Sequence, residues 1–455
     1  MILPASVKLR ACLWATLFLL VLPAFARASL SFIPPVPTNI DAVEIYLLTR
    51  GAGAEVYTKY GHTMIRVVDP SHGLDVAYNW GAFNFGEPGF IGKFLRGFLR
   101  YHLDISPADF EVRISEIEQR WLVQERLNLT RRQKALFLAE LNREAQPPRR
   151  HYRYLFFTDN CSTRPRDVID KALGGKLAAS FQGRGGKVTF RDKVMEYNAS
   201  VPILAMGQDI ILSSEVDRSI SPWEEMFVPL KLREYLLLLP AYNDDGSERT
   251  GVKLLSDKTI LTSFPDPVNP PCNGHMIFLA LLGSPLLLGM LLYLTPVSGI
   301  SALTNLRKIS FQKTGLRIIG LALTIWGAVS GIFGLYLTLA WAFSEHTVVH
   351  HNANLALFWP LDWCVLFWGV LLLKRGAPLR QGSLLAKFTV WFALGHLASL
   401  SIYCLLAMSG FFAQDVTRVL RYFGLPALLI YGLALHISGF KQHGKQRPAA
   451  RKSPS

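Results

Sequence analysis

The chain has 455 residues, 50% of them hydrophobic, with 48 Lys and Arg against 33 Asp and Glu for a formal charge of +15. Its positive mean hydropathy excludes one ordinary soluble domain, and its length excludes one core. Nucleic acid is excluded as the target of the basic excess, because that charge either flanks apolar segments or falls in a part expected to be exported.

Lys8 and Arg10 precede ACLWATLFLLVLPAF, and Ala26-Arg27-Ala28 comes next in an A-x-A arrangement, so residues 1–28 read as a signal peptide. An uncleaved anchor is the alternative; in both cases the segment beyond residue 28 is exported. Cys12 begins the apolar run instead of following it, which argues against the chain being a lipoprotein itself. After the Pro-rich lead SFIPPVPTN, AVEIYLLTR predicts a buried strand. GHTMIRVVD predicts a second strand after the Gly51/Gly53 loop, and LDVAYNWGAFNF a third. TRRQKALFLAELNREA predicts a helix with Thr130 and Gln133 as a capping box and Pro147-Pro148 as its end. YLFFTDNCSTRPRDVID then reads strand, turn and helix, stopped by Gly174-Gly175. Residues 29–240 are therefore an expected α+β domain, and 241–274 a hydrophilic, then Pro-rich, linker.

Apolar stretches of spanning length, roughly 20 residues each, fall at 276–297, 316–342, 355–373, 388–411 and 419–439, the third interrupted by Pro360 and Asp362. They predict an α-helical membrane domain of about five spans over 275–440, followed by a basic tail, 441–455. Arg307, Lys308, Lys313 and Arg317 follow the first span, and Lys374, Arg375, Arg380 and Lys387 follow the third. The tail and those two loops are thus expected in the cytoplasm and the 29–240 domain outside. Arg96, Arg100, Arg131, Arg132, Arg149, Arg150 and Arg153 of the exported part suit either a solvated face or lipid phosphates.

Cys161 is the one thiol of that exported domain. A disulfide to Cys272 is its bland role. Its chemical role rests on Pro165, which fits an early helical position and puts Cys161 at a helix N-terminus. Free backbone N–H groups there favour a thiolate and can receive an oxyanion. A nucleophilic thiol needs a base. Among His62, His72, His102 and His151, His62 is best placed, at a strand start beside Gly61. The loop SEHTVVHHNAN packs Glu345, His346, His350, His351, Asn352 and Asn354 between two apolar stretches; its spacing fits no metal well, ordinary interfacial polarity is the plain reading, and a substrate-amine or supporting role for residues such as His346 and Asn352 is the alternative.

GHTMIRV followed by DNCSTRPRDVID resembles the circularly permuted papain-like (NlpC/P60-like) cysteine superfamily, and its Asn-Cys pair is similar to that of lecithin–retinol acyltransferases. LLTRGAGAEVYTKYGHTMIRV, AYNWGAFNFGEPGFIGKFLRGFLRY, YLFFTDNCSTRPRDVID, DRSISPWEEMFVPL and SEHTVVHHNANLALFWPLD, in that order, resemble the Lnb-type bacterial lipoprotein N-acyltransferases. The resemblance implies Cys161 as nucleophile and His62 as base, with His72, Asp75 or Asn79 orienting the imidazole, Asn79 preferred. Asp159 and Asn160 are expected to hold the nucleophile turn, and Arg166 to pair with Asp167. The implied reaction moves an acyl chain from a phospholipid to the N-terminal amine of a diacylglyceryl lipoprotein at the periplasmic face of the inner membrane, without cofactor or metal. A cell-wall cysteine peptidase or amidase, and a non-enzymatic receptor or assembly factor, are the rival readings.

Overall fold

A computed structural model describes residues 32–84, 86–147, 149–267, 282–294, 302–380 and 382–438. The expected signal at 1–28, Cys272 and the tail at 441–455 lie outside them. The chain forms two compact units, one from residues 1–187 and 220–268, the other from 188–219 and 269–455. Residues 188–219, inside the 29–240 span drawn from sequence, group with the second unit.

The first unit is mixed α/β. Strands β1 (Glu44–Arg50), β2 (His62–Asp69) and β3 (Leu74–Ala82) form its centre. Helix α1 (Phe90–Arg96), β4 (Arg100–Pro107), α2 (Ala108–Ile117), β5 (Leu122–Leu127), α3 (Arg131–Ala145), β6 (His151–Arg153) and α4 (Thr163–Ala172) come next in chain order. Strands β7 (Pro240–Tyr242), β8 (Glu248–Lys253) and β9 (Leu255–Thr262) close the unit. Seven strands make one sheet in the order β6-β4-β3-β2-β1-β5-β9, every neighbouring pair antiparallel.

Both faces of the sheet centre are covered, so β1 reads as a nearly continuous apolar run rather than an alternating one. Ile45, Leu47, Ile65 and Trp80 pack with Phe137 and Leu141 of α3 and with Val168 and Ile169 of α4. Leu48, Met64, Ala77 and Leu122 form a smaller core on which Val112 of α2 packs. Thr130 and Gln133 cap α3 reciprocally, as the sequence predicts.

In the second unit, α5 (Phe190–Asn198) and α6 (Pro202–Ile211) precede the long α7 (Ala302–Phe343), α8 (Trp363–Arg375), α9 (Leu384–Met408) and α10 (Leu425–Ile437). Three described helices are long and apolar enough to cross a membrane: Ile309–Phe343, Leu384–Met408 and Thr417–Ile437. A fourth crossing exists if Thr347–Ala356 and Pro360–Arg375, bent by 57°, act as one broken span. The bend falls at Pro360, where the interrupted third stretch was expected to be weakest. Of the expected first span, 276–297, only Ser284–Leu294 is described as α-helix. At Gly327 a Cβ would stand 2.2 Å from Leu366 N, so glycine is what lets α7 and α8 approach backbone to backbone.

Several polar groups inside this unit are paired. Asp362 is fully buried, has His396 Nε2 at 2.8 Å, and accepts from the Tyr431 hydroxyl at 3.2 Å and from Ser330. The end of α6 is held by side-chain amides: Asn352 Nδ2 donates to Ile210 O (3.0 Å) and Ile211 O (2.9 Å). Asn354 Nδ2 donates to Ile210 O (2.8 Å) and Gln414 Nε2 to Leu212 O (3.1 Å). Arg191 of α5, itself buried, pairs with Asp209 at 2.8 Å and Asp217 at 2.6 Å.

Candidate active site

His62 opens β2 directly after Gly61, whose φ is +79° and whose missing Cβ would lie 2.9 Å from Arg50 O. Only glycine makes that turn without strain, and it sets His62 opposite Arg50 across β1–β2. The imidazole Nε2 is 2.7 Å from Asn79 Oδ1 of β3. Asn79 Nδ2 donates to Glu111 Oε1 at 3.1 Å. Glu111, in the first turn of α2, is buried and pairs through Oε2 with Arg50 Nη2 at 2.7 Å. Arg50 Nη2 also donates to Glu111 O (2.8 Å), and Arg50 Nε to Ser115 Oγ (2.8 Å).

This chain of bonds fixes the histidine tautomer. A carboxylate only accepts, so Asn79 must turn its NH2 to Glu111 and its carbonyl oxygen to His62. An oxygen facing Nε2 requires the proton on Nε2, which leaves the lone pair on Nδ1. Burial pushes the imidazole pKa down to about 4, and the Arg50 charge pushes the same way, against the Asn79 bond and Glu111. The ring is a neutral base at neutral pH.

Cys161 is buried and directly precedes Ser162, the N-cap of α4. The backbone of Thr63, the residue after His62, is among the groups that hold its thiol pKa down. The Tyr154 hydroxyl lies 3.9 Å from Sγ, and a Cβ placed on Gly81, two residues beyond Asn79, would sit 3.5 Å from Cys161 Cβ. The start of β2, the end of β3 and the entry to α4 thus bring His62, Asn79 and Cys161 together.

Two expectations need correction. The helix-start amides are not free: Asn160 Oδ1 accepts from Ser162 N at 2.8 Å and Thr163 N at 2.9 Å. The thiol is not lowered either. Burial raises its pKa to about 11, more than the Tyr154 and Thr63 hydrogen bonds and the Arg120 charge bring it down. At neutral pH the thiol and the imidazole are both uncharged. The donors that face the sulfur are the Tyr154 hydroxyl and the Cys161 backbone N–H.

Asn160 also donates through Nδ2 to Phe156 O (2.7 Å) and Phe227 O (2.9 Å), which locks the turn. Asp159 receives Arg164 in a two-bond fork, 2.5 and 2.9 Å. Arg166 donates to Asp167 (2.8 Å) and Trp223 O (2.9 Å), with its guanidinium 3.9 Å above the Trp223 ring. These three hold structure around the thiol. His72 is taken by Asp69 at 2.7 Å, and His102 faces His151 across β4–β6. In the second unit His346 is half-buried, its backbone N–H donating to Ser344 Oγ (3.1 Å), while Asn352 is spent on the α6 carbonyls. Among the described residues Cys161 is in no disulfide, and no three His, Cys, Asp or Glu converge on a metal site.

Sequence reasoning missed Glu111, Arg50, Tyr154 and Arg120. Arg120 donates to Gly51 O and Glu118, both at 2.8 Å, while its Nη2 is buried with no hydrogen-bond partner among the described residues. One signal was available: Arg50 ends a strand otherwise buried along its length, where a charge must find a buried partner.

Two family models match this chain. The Lnb N-terminal periplasmic domain matches residues 37–196, and the Lnb transmembrane domain matches residues 280–416. The first contains His62, Asn79, Glu111 and Cys161. No curated protein and no solved structure matches.

Proposed function

The chain belongs to the Lnb family, a membrane protein with a periplasmic N-terminal domain, and from that premise we propose that it is a lipoprotein N-acyltransferase working through a thioester on Cys161. What supports this reading is the His62–Asn79–Glu111 chain, which leaves Nδ1 as the basic nitrogen, together with the buried Cys161 thiol in the same domain. The fold around it is a permuted papain-like one.

In the first half-reaction His62 Nδ1 takes the thiol proton as Sγ attacks an ester carbonyl of a phospholipid. Proton transfer and attack go together, because an apolar pocket disfavours a standing thiolate–imidazolium pair. The tetrahedral oxygen receives hydrogen bonds from the Tyr154 hydroxyl and the Cys161 N–H. Collapse breaks the ester C–O bond. His62 returns the proton to the lysophospholipid oxygen, leaving the acyl thioester.

In the second half the α-amine of a diacylglyceryl-cysteine attacks the thioester. His62 removes an amine proton, the C–S bond breaks, and that proton goes back to sulfur. Both substrates are anchored in one leaflet, the outer leaflet of the inner membrane. Pulling an acyl chain into water costs about 0.8 kcal/mol per CH₂, so a membrane-bound enzyme avoids what a soluble one would face.

The test is mass spectrometry of a reporter lipoprotein with this chain as sole enzyme. Wild type is expected to add a third chain; Cys161→Ser and His62→Ala are expected to add none while still inserting in the membrane. A third chain appearing with Cys161→Ser ends the proposal.

A further inference from the structure

Among the exposed apolar side chains of the first unit is a run at α1 that the reaction above does not use. Helix α1 lies between Gly89 and Gly97, both left-handed, and carries Phe94 at 51% exposure and Leu95 at 43%, with Phe98 just beyond at 48%. Arg96 stands in the same stretch with its guanidinium 5.1 Å from the Phe98 ring centre, and Arg100 is exposed two residues later. No acidic residue occupies the first turn of the helix.

From that surface a line of rings runs inward. Phe94 stacks on Phe90 at 6.5 Å, and Phe90 on Phe83 at 5.8 Å. Phe83 meets Tyr101 at 5.1 Å, and Tyr101 stacks on Tyr154 at 4.4 Å. The Tyr154 hydroxyl is the group 3.9 Å from Cys161 Sγ. An exposed apolar patch and the nucleophile are thus ends of one aromatic track.

We propose that α1 and this track are the surface through which a bilayer phospholipid reaches Cys161, an inference that rests on the acyl-transfer reading. Phe94, Leu95 and Phe98 enter the acyl-chain boundary. Arg96 and Arg100 take the headgroup phosphate in bidentate fashion, which a guanidinium does better than an ammonium. A bilayer fits better than a protein groove because aromatic and basic groups alternate here, the pattern of an interfacial anchor. The chain also carries helices long and apolar enough to cross a membrane. In a phospholipid the ester carbonyl lies between phosphate and chain. A molecule held by its phosphate at the rim, with its chain along the rings, therefore brings the ester toward sulfur.

The experiment uses the full chain in phosphatidylethanolamine–phosphatidylglycerol vesicles containing a phospholipid with a diazirine in its acyl chain. Cross-links are expected at residues 90–100. Phe94→Asp/Phe98→Asp is expected to slow Cys161 acylation from vesicles by roughly tenfold or more. It should leave acetylation by water-soluble p-nitrophenyl acetate, which forms the same S–C bond and releases p-nitrophenolate, within about twofold of wild type. Phe94→Leu/Phe98→Leu, still apolar, should acylate from vesicles near the wild-type rate. Cross-links confined to other residues overturn the surface, and so does an Asp variant acylated from vesicles as fast as wild type. The cross-link is read on the unmodified protein, so it decides even if the Asp variant does not fold. Cross-links at 90–100 on a protein whose Cys161 never receives a chain support the surface and overturn the acyl-transfer reading instead.

Discussion

Glu111→Gln tests the tautomer argument without moving an atom of the site by much. Arg50 still requires an acceptor, so the new amide turns its oxygen to Arg50 and its NH2 to Asn79, where Glu111 Oε1 now accepts at 3.1 Å. Asn79 then has to flip, presenting NH2 to His62 Nε2 across the present 2.7 Å contact. The ring proton moves to Nδ1, and the base that should take the thiol proton becomes a donor. A misassigned tautomer of this kind costs on the order of 10³–10⁴ in rate, about 4–5.5 kcal/mol at 1.36 kcal/mol per factor of ten. The rescue is Glu111→Gln/Asn79→Asp, in which the carboxylate placed at position 79 accepts from both the new amide at 111 and His62 Nε2–H. It should recover at least about tenfold over Glu111→Gln. Asn79→Asp alone sets two carboxylates against each other and should stay slow. The assay is the rate at which Cys161 gains a chain in phospholipid vesicles, by intact-mass spectrometry. Glu111→Gln within about threefold of wild type, or a double variant no faster than the single, refutes the reasoning.

Because the His62 pKa is lowered to about 4, its basic form persists at all pH above that value. The Cys161 acylation rate should be flat from pH 8 to 5.5 and fall toward pH 4, whereas an ordinary imidazole would lose half by about 6.5; a pH–rate profile of thioester formation distinguishes them. With the thiol raised to about 11, iodoacetamide alkylation of Cys161 in His62→Ala should be slow at pH 7 and climb through pH 9 to 11. Tyr154→Phe keeps the stack on Tyr101 but removes the hydroxyl; acylation should slow on the order of 10² with unchanged thermal unfolding. Asn160→Ala removes a helix cap and the amide bonds to the Phe156 and Phe227 carbonyls, so unfolding of the full chain in detergent should show a loss of about 2–4 kcal/mol.

The legible part of the sequence was local. Strands β1, β2 and β3 and the capped α3 follow from hydrophobic runs and a Thr130/Gln133 signal within a few residues of one another. The start of α4 just after Cys161 follows from Pro165. The missed parts are those where distant residues meet. Arg50, Asn79 and Glu111 converge through a sheet register and a helix docked on its face. Nothing in ADFEVRISEI distinguishes Glu111, which is buried, from Glu116, which is exposed. The thiolate expectation failed because propensity rules describe an open helix end, and here Asn160 occupies the amides while burial acts on the sulfur. The membrane helices were legible by composition and Pro360 marked the bend, but the partners of Asp362 come from helices far along the chain.

The segment 188–219 leaves the periplasmic sequence, joins the second unit, and is followed by residues that return to the first. A chimera that swaps everything before residue 269 would replace Arg191, Asp209 and Asp217 together with the carbonyls that Asn352, Asn354 and Gln414 now satisfy. A foreign segment keeps these amides satisfied only where its main chain returns carbonyls to the same places, and each amide left stranded costs about 1–3 kcal/mol. The exchangeable cassette is therefore discontinuous, and any graft of catalytic specificity onto another anchor has to carry two seams inside the periplasmic sequence as well as one after it.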